Sequence, residues 1–468
     1  MYLTDLPDTV QNMLIQLKQN ISIVSELMHV ESKDSKGIHI IDYLENYILS
    51  INENGDMFIP KMNKSIQSTI NSIQENNDFE YSFPNISFQF ALADVEKKTD
   101  PAVVQRFNNL KNKAKASDFI LNKSVSSLYG ENNTTIQRIP ALLKLSNTKV
   151  LMLFNQGIIG YGGDGDGAKM YQKTITIDAD KNIQVSETKL FYQVNDIYAA
   201  GIVKHAQLCI LKDGRICCVY ETNTQGVLKY KQYVRYSSDD GQTWTEPTLV
   251  TFTNASETDS ITLSTDSKTL VLESGRLINA VYLRNEHKVA SIYSDDNGLT
   301  WTLSPYIQTP TGTWHTESTF VRLNDGTIKF WFRDESNPGV KRLYKSTDNG
   351  ETLQYVGNSN FSCPPCQASS CTLSDGTVVI STPTAINGRT KFKLLFSLDD
   401  GQTFDLMTMP FHKTKFMGYS SVIALSDDLL MCAVEGNWGS GALNTNTFED
   451  IGIFLINTAG LLKYGFNS

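Results

Sequence analysis

The fold that the sequence predicts is mainly β: a six-bladed β-propeller preceded by a smaller helical or α+β region. Three observations predict it. A frame of Ser-x-Asp-x-Gly-x-Thr closed by an aromatic or aliphatic residue occurs at residues 237–244 (SSDDGQTW), 294–301 (SDDNGLTW), 346–353 (STDNGETL) and 397–404 (SLDDGQTF). The starts at 237, 294, 346 and 397 lie 57, 52 and 51 residues apart, a period that marks stacked supersecondary units and, near 50 residues, propeller blades. Turn pairs recur between the boxes, at Asp213-Gly214, Ser274-Gly275, Asp325-Gly326 and Asp375-Gly376, each ahead of a strand-like run. Aromatic residues make up 10% of the chain, with 20 Tyr and 22 Phe, which leans the same way.

Each box reads as a hairpin turn. Its Asp accepts backbone N–H groups, its Gly supplies the left-handed conformation that other residues resist, and its Ser and Thr add short bonds to the backbone. Calcium binding is the rival reading of an Asp-rich loop, but no box has the ligand spacing of an EF-hand.

The N-terminal part, residues 1–130, reads as a helical or mixed region. Val10, Met13, Leu14, Leu17, Ile21, Val24, Leu27 and Met28 recur at three- and four-residue steps, predicting a helix over 8–30 that buries its stripe in its own domain or in a bundle of copies. His29 and His39 nearby read as structural. Residues 31–79 are polar and mixed, with a second helical patch from Lys61 to Gln74. Alternation at Phe83, Ile86, Phe88 and Phe90 predicts a strand over 80–93, and Asp100-Pro101 opens a further helix with Lys111, Lys113 and Lys115 on a solvated face. The polar run at 129–135 marks the boundary before the propeller, residues 131–468. Six blades in succession then fill the chain from about 136. The first carries a degenerate box at 178–182 (DADKN), and a shortened last one includes 451–462.

Composition narrows the function. Forty per cent hydrophobic residues in 468 permit a full core, and a net charge of −9 argues against nucleic acid as partner. A local cluster of Arg can still hold an anionic sugar. Seven cysteines, an odd number, do not read as a secreted disulfide framework. Cys363-Pro-Pro-Cys366 invites a redox or zinc reading, yet no second pair or nearby His completes a metal site, so loop thiols are the preferred account. The N-terminus carries early acids and no apolar core of a signal peptide, and no run of about 18 apolar residues spans a membrane. A soluble protein is expected, borne on a virion tail, exported by a non-classical route, or cytoplasmic.

Residues 137–142 (QRIPAL) stand where the first blade begins, and the Arg-Ile-Pro run closely resembles a motif of the sialidase (neuraminidase) family, which also bears Asp boxes. The resemblance covers residues 136–468. It implies three arginines clamping the carboxylate of sialic acid: Arg138, then Arg333 sixteen residues after the catalytic Glu317, then Arg389 in an Asn-Gly-Arg turn before the fourth box. It also implies a nucleophilic Tyr419 in Gly-Tyr-Ser-Ser and a Glu435 that orients Arg138. The resemblance implies a general-acid Asp in the loop after the first blade's opening hairpin, here residues 160–167 (GYGGDGDG), where the family's usual distance from the first Arg favours Asp164 and the count back from the degenerate box favours Asp166; both stay open. Trp314 and His315 are candidates to line the pocket, with packing between blades an equal account of Trp314.

The chemistry gives these roles a reason. Planar guanidinium pairs a carboxylate better than Lys does. The anomeric carbon of sialic acid bears that carboxylate, which repels an anionic nucleophile, whereas a neutral Tyr approaches freely; sialidases are an exception to carboxylate nucleophiles. Tyr has a free pKa near 10 and needs an adjacent base, the role that falls to Glu317. The implied activity is an exo-acting, retaining sialidase without metal or organic cofactor. The alternative is a glycan-binding propeller on a bacteriophage tail or baseplate, its N-terminal region forming a homotrimeric or virion attachment stem, an analogy at fold level. Sialylated or other acidic glycans are the partners under both readings.

Overall fold

The computed structural model describes residues 29–34, 37–41, 47–51, 57–59, 64–65, 120–126 and 135–458 apart from 159–168, 195–201, 224–229, 257–258, 265–266, 284–285, 405, 409–416 and 437–449. The chain divides into two compact units, Met1–Phe90 and Ala91–Ser468.

In the first unit, His29–Asp34, Gly37–Ile41, Tyr47–Ile51, Met57–Ile59 and Lys64–Ser65 pair in chain order as one antiparallel sheet. This corrects the helical reading where the two overlap, at residues 29–30 and 64–65, and no α-helix occurs among the described residues. The physical reason is local. Ile38 and Ile40, then Leu49 and Ile51, repeat at a period of two with β-branched residues, which suits a strand and not a helix. The helical stripe over 8–28, the strand over 80–93 and the helix from residue 100 lie outside the described residues.

The second unit is a β-propeller. Its first blade holds Thr135–Ser146, Lys149–Ile158, Lys169–Ile177 and Ile183–Val185, with Lys189–Gln193 also on the third strand. The second holds Ile202–Ile210, Ile216–Asn223, Lys231–Ser237 and Thr248–Leu249. The third is built on Ile261–Leu263, Leu277–Leu283, Lys288–Ser294 and Thr300–Leu303, with three short strands added. The fourth holds His315–Arg322, Ile328–Asp334, Arg342–Ser346 and Gln354–Asn358, and the fifth Ser369–Thr372, Val378–Pro383, Phe392–Ser397 and Leu406–Thr408. Six successive blades were expected. Five are contiguous, and the remaining sheet is composite: Met417–Ser426, Leu429–Gly436 and Asp450–Asn457 take their outer strand, Ile120–Ser126, from ahead of the first blade. That strand precedes the polar run read as a boundary, because a sequence as mixed as ILNKSVS gives no apolar alternation.

First strands of neighbouring sheets pack on one another around the centre, except at the third blade, where the second strand Leu277–Leu283 meets the first strand of the fourth. Polar side chains there take over backbone groups of the neighbouring sheet. Going round, the Asn155 amide donates to the Val203 carbonyl, Glu221 accepts the Leu263 N–H at 3.0 Å, and Ser264 Oγ accepts the Ser318 N–H at 3.0 Å. Ser370 Oγ donates to the Phe320 carbonyl at 3.1 Å, Ser369 Oγ accepts the Val422 N–H at 3.1 Å, and Ser421 Oγ accepts the Leu142 N–H at 3.1 Å. The last bond links the composite sheet to the first blade and closes the ring. Apolar clusters fill the gaps between sheets, for example Leu142, Met152, Phe154, Met431, Ile453 and Leu455 at that junction.

The boxes join third and fourth strands. In the first, Ser237 Oγ accepts the Gly241 N–H at 2.9 Å, Asp239 Oδ1 accepts the Thr243 N–H at 2.9 Å, and Thr243 Oγ1 donates to Asp239 Oδ2 at 2.6 Å. Asp178 at the degenerate box accepts the Asn182 N–H at 2.8 Å in the corresponding hairpin, so the Asp survives there without its Ser.

Candidate active site

The innermost strands carry three of the residues singled out in the sequence. Arg138 stands on Thr135–Ser146, Glu317 on His315–Arg322 and Tyr419 on Met417–Ser426. Arg333 and Glu435 end the second strands Ile328–Asp334 and Leu429–Gly436, and Arg389 lies between the second and third strands of the fifth blade. Chain direction puts all six at the end of the propeller opposite the boxes. Pairing slips at Arg138/Ala141, His315/Ser318 and Met417/Ser420, next to each of the three inner residues. Such bulges re-aim a side chain out of the regular alternation. Ile139, at φ 55°, holds a left-handed conformation that is costly for a β-branched residue.

Glu435, fully buried, organises one side of the site. Its Oε1 accepts Arg138 Nε at 3.2 Å and the Ile139 N–H at 2.5 Å, while its Oε2 accepts Arg138 Nη2 at 3.1 Å and the Tyr419 N–H at 3.1 Å. One carboxylate thus fixes the first arginine and the backbone of both neighbouring strands.

Glu317 organises the other side. Its Oε1 accepts a hydrogen bond from the Tyr419 hydroxyl, and its Oε2 lies 2.8 Å from Arg333 Nη1. Arg333 Nη1 also donates to Tyr419 Oη at 3.1 Å. The guanidinium carbons of Arg138 and Arg389 stand 5.2 Å and 5.4 Å from the centre of the Tyr419 ring, within cation–π range. Three guanidinium groups therefore converge on one tyrosine.

Burial works against charge on Arg333, but Glu317, Tyr419 and Glu335 outweigh it and hold its pKa well above the ordinary arginine value. Burial likewise opposes charge on Arg389, where Cys366 and Tyr419 act in the raising direction and the net shift is upward. Both remain cations at any working pH.

Asp164 and Asp166 lie outside the described residues. His315 does not line the pocket: it is fully buried, with Nδ1 2.7 Å from the Tyr344 hydroxyl and Nε2 3.6 Å from Asp334. Burial lowers its pKa to about 4, so it is neutral near pH 7 and braces the strand of Glu317. Trp314 is half-buried with its ring 5.6 Å from that of His287.

Several supporting residues were not assigned to the site from the sequence. Cys366 packs with Ile139 and Tyr419 as an apolar back wall, and both Cys363 and Cys366 are buried free thiols. Gln367 holds Ser420 by both backbone groups, at 2.9 Å and 2.8 Å. Residues 267–269 run beside Leu208 at the centre, where Ser267 Oγ donates to the Pro140 carbonyl at 2.8 Å and Lys268 to that of Ser370. Glu335 accepts from Arg333 Nη2 at 2.7 Å. Two residues apart at a strand end share a face, but an acid so placed reads equally as a surface ion pair.

Known proteins agree with this architecture. The BNR repeat-like domain family matches residues 211–432. An anhydrosialidase of Macrobdella decora is 26% identical over 185 residues, covering 36% of this chain and 24% of that protein. A sialidase of Bacteroides fragilis is 24% identical over 229 residues, covering 46% and 38%. The matched part thus spans between about a quarter and two fifths of these relatives. Among solved structures, the NanB sialidase from Streptococcus pneumoniae superposes with a TM-score of 0.58 at 16% identity, over 73% of this chain and 70% of that one. A leech intramolecular trans-sialidase complexed with 2,7-anhydro-Neu5Ac gives 0.56 at 16% identity, over 72% and 71%. The fold is shared with these propellers.

Proposed function

We propose that the chain is an exo-α-sialidase-like glycoside hydrolase that removes a terminal sialic acid with retention. The observation that carries the reading is the buried Tyr419 hydroxyl bonded to the Glu317 carboxylate, with Arg333 donating to the same oxygen. The relatives and structural neighbours named sialidase support the substrate class.

Arg138, Arg333 and Arg389 receive the sugar carboxylate and so fix the anomeric carbon above Tyr419. Glu317 takes the phenolic proton as Tyr419 Oη bonds to the anomeric carbon. The glycosidic C–O bond breaks, and the leaving oxygen takes a proton from a general acid, Asp164 or Asp166. Glu317 then returns its proton to Tyr419 as water, deprotonated by the same Asp, displaces the tyrosyl oxygen. Two displacements at one carbon leave its configuration unchanged.

The test is hydrolysis of a fluorogenic α-sialoside by the wild type and by Tyr419→Phe. The wild type turns over, and the variant loses about 10³-fold or more in kcat, as removal of a nucleophile does. Proton NMR of the first product separates α-sialic acid from an anhydro sugar, which would mean intramolecular transfer. Glycan binding without turnover in the wild type would overturn the enzyme in favour of a receptor-binding propeller.

A further inference from the structure

The Arg333 guanidinium, with 13% of its side chain exposed, is gripped at both terminal nitrogens by carboxylates. Nη1 meets Glu317 Oε2 at 2.8 Å and Nη2 meets Glu335 Oε2 at 2.7 Å. A planar group held at both ends has its plane fixed, whereas one held at a single end still swings about the Cδ–Nε bond and the bonds before it. Glu335 is itself fixed. Its N–H donates to the Trp314 carbonyl at 2.9 Å, and its Oε1 accepts from Thr316 Oγ1 at 3.1 Å. Residues 314 and 316 flank the start of the strand that presents Glu317, so Glu335 ties that strand to the end of the strand that presents Arg333.

We propose that Glu335 is a positioning residue for the carboxylate clamp, aiming Arg333 at the substrate carboxylate while Glu317 stays in register with Tyr419. The role rests on the function proposed above. A carboxylate beside an arginine meant for another carboxylate also competes with it. The two effects have opposite signs, and only a gain from orientation larger than the loss from competition makes Glu335 useful.

The geometry predicts that orientation wins. Glu335→Gln keeps an acceptor for Nη2 and removes the charge; Glu335→Ala removes both. With a fluorogenic α-sialoside, Glu335→Ala raises KM about tenfold with kcat within about threefold, the mark of lost binding felt equally by substrate and transition state. Glu335→Gln stays within about threefold of wild type in KM. A purely structural role would lower the melting temperature and the active fraction and would leave KM alone. Equal or lower KM in Glu335→Ala overturns the proposal. A crystal structure of Glu335→Ala decides it independently of turnover: the Arg333 guanidinium leaves its place, and retention within about 0.5 Å overturns the role. If the wild type proves inert the sialidase reading fails, and this structure still decides whether Glu335 aims Arg333.

Discussion

Glu435 shows how much a single buried carboxylate holds in this site. Four bonds from Arg138, Ile139 and Tyr419 end on its two oxygens, and no part of the pair with Arg138 is more than 4% exposed. Removing one partner of such a pair strands a buried charge, at a cost of about 3–5 kcal/mol, while replacing both by apolar groups is often neutral. Glu435→Ala is therefore expected to lose about 3–5 kcal/mol in denaturant unfolding, and Arg138→Leu with Glu435→Leu to recover part of that loss. A Glu435→Ala protein within about 1 kcal/mol of wild type would contradict the account. At this scale the sequence was partly legible. Arg138, Glu317, Arg333, Arg389, Tyr419 and Glu435 carry recognisable neighbours, and all six converge. Glu335 and Gln367 were not legible: an acid two residues after an arginine reads as a surface ion pair, and the partner of Gln367 is 53 residues away.

The box turns do at element scale what those residues do singly. In each one the glycine and the Asp or Asn before it both have positive φ, as at Asp400 (59°) and Gly401 (73°). The glycine then sits against the second strand of the preceding blade: Gly241 on Leu151, Gly298 on Cys217, Gly350 on Ile278, Gly401 on Trp331. A box is thus a hairpin turn and also a spacer between blades. A Cβ on Gly401 would lie 2.9 Å from the Trp331 ring, whereas one on Gly214, at φ 88° in an inner turn, would meet nothing within 4 Å. Gly214→Ala should cost about 1 kcal/mol from backbone strain alone, and Gly401→Ala about 2–4 kcal/mol because overpacking adds to it. Chemical denaturation of the two variants checks the order, and equal losses would remove the packing role. The turn function was readable from residue types; the spacer function was not, because Trp331 and Gly401 meet only when blades stack.

The whole molecule depends on how the ring is shut. Strand Ile120–Ser126 pairs with Asp450–Asn457 from Ile451↔Ser126 to Ile456↔Ile120, joining the two ends of the propeller in one sheet. Without it, the strand of sequence DIGIFLIN becomes an open edge rich in apolar β-formers, the kind of edge that pairs with other chains. The inner contacts do not replace this: the Ser421–Leu142 and Lys144–Leu425 bonds, the Glu435 bonds and the apolar cluster hold the composite sheet to the first blade but leave that edge unpaired. The site shares the consequence, since Arg138 lies on the first blade and both Tyr419 and Glu435 lie on the composite sheet. A chain that begins at residue 131 is therefore expected to melt at least about 5 °C below one that begins at Ala91, and to aggregate on heating, given a few kcal/mol lost at roughly 2 °C each. Turnover of an α-sialoside should fall with it, while a chain starting at 91 should match the full chain. Scanning calorimetry and light scattering on the three proteins measure this. Equal melting of the 91 and 131 forms would mean that the ring is shut by its inner strands and the interblade clusters, with residues 120–126 only decorating the last sheet.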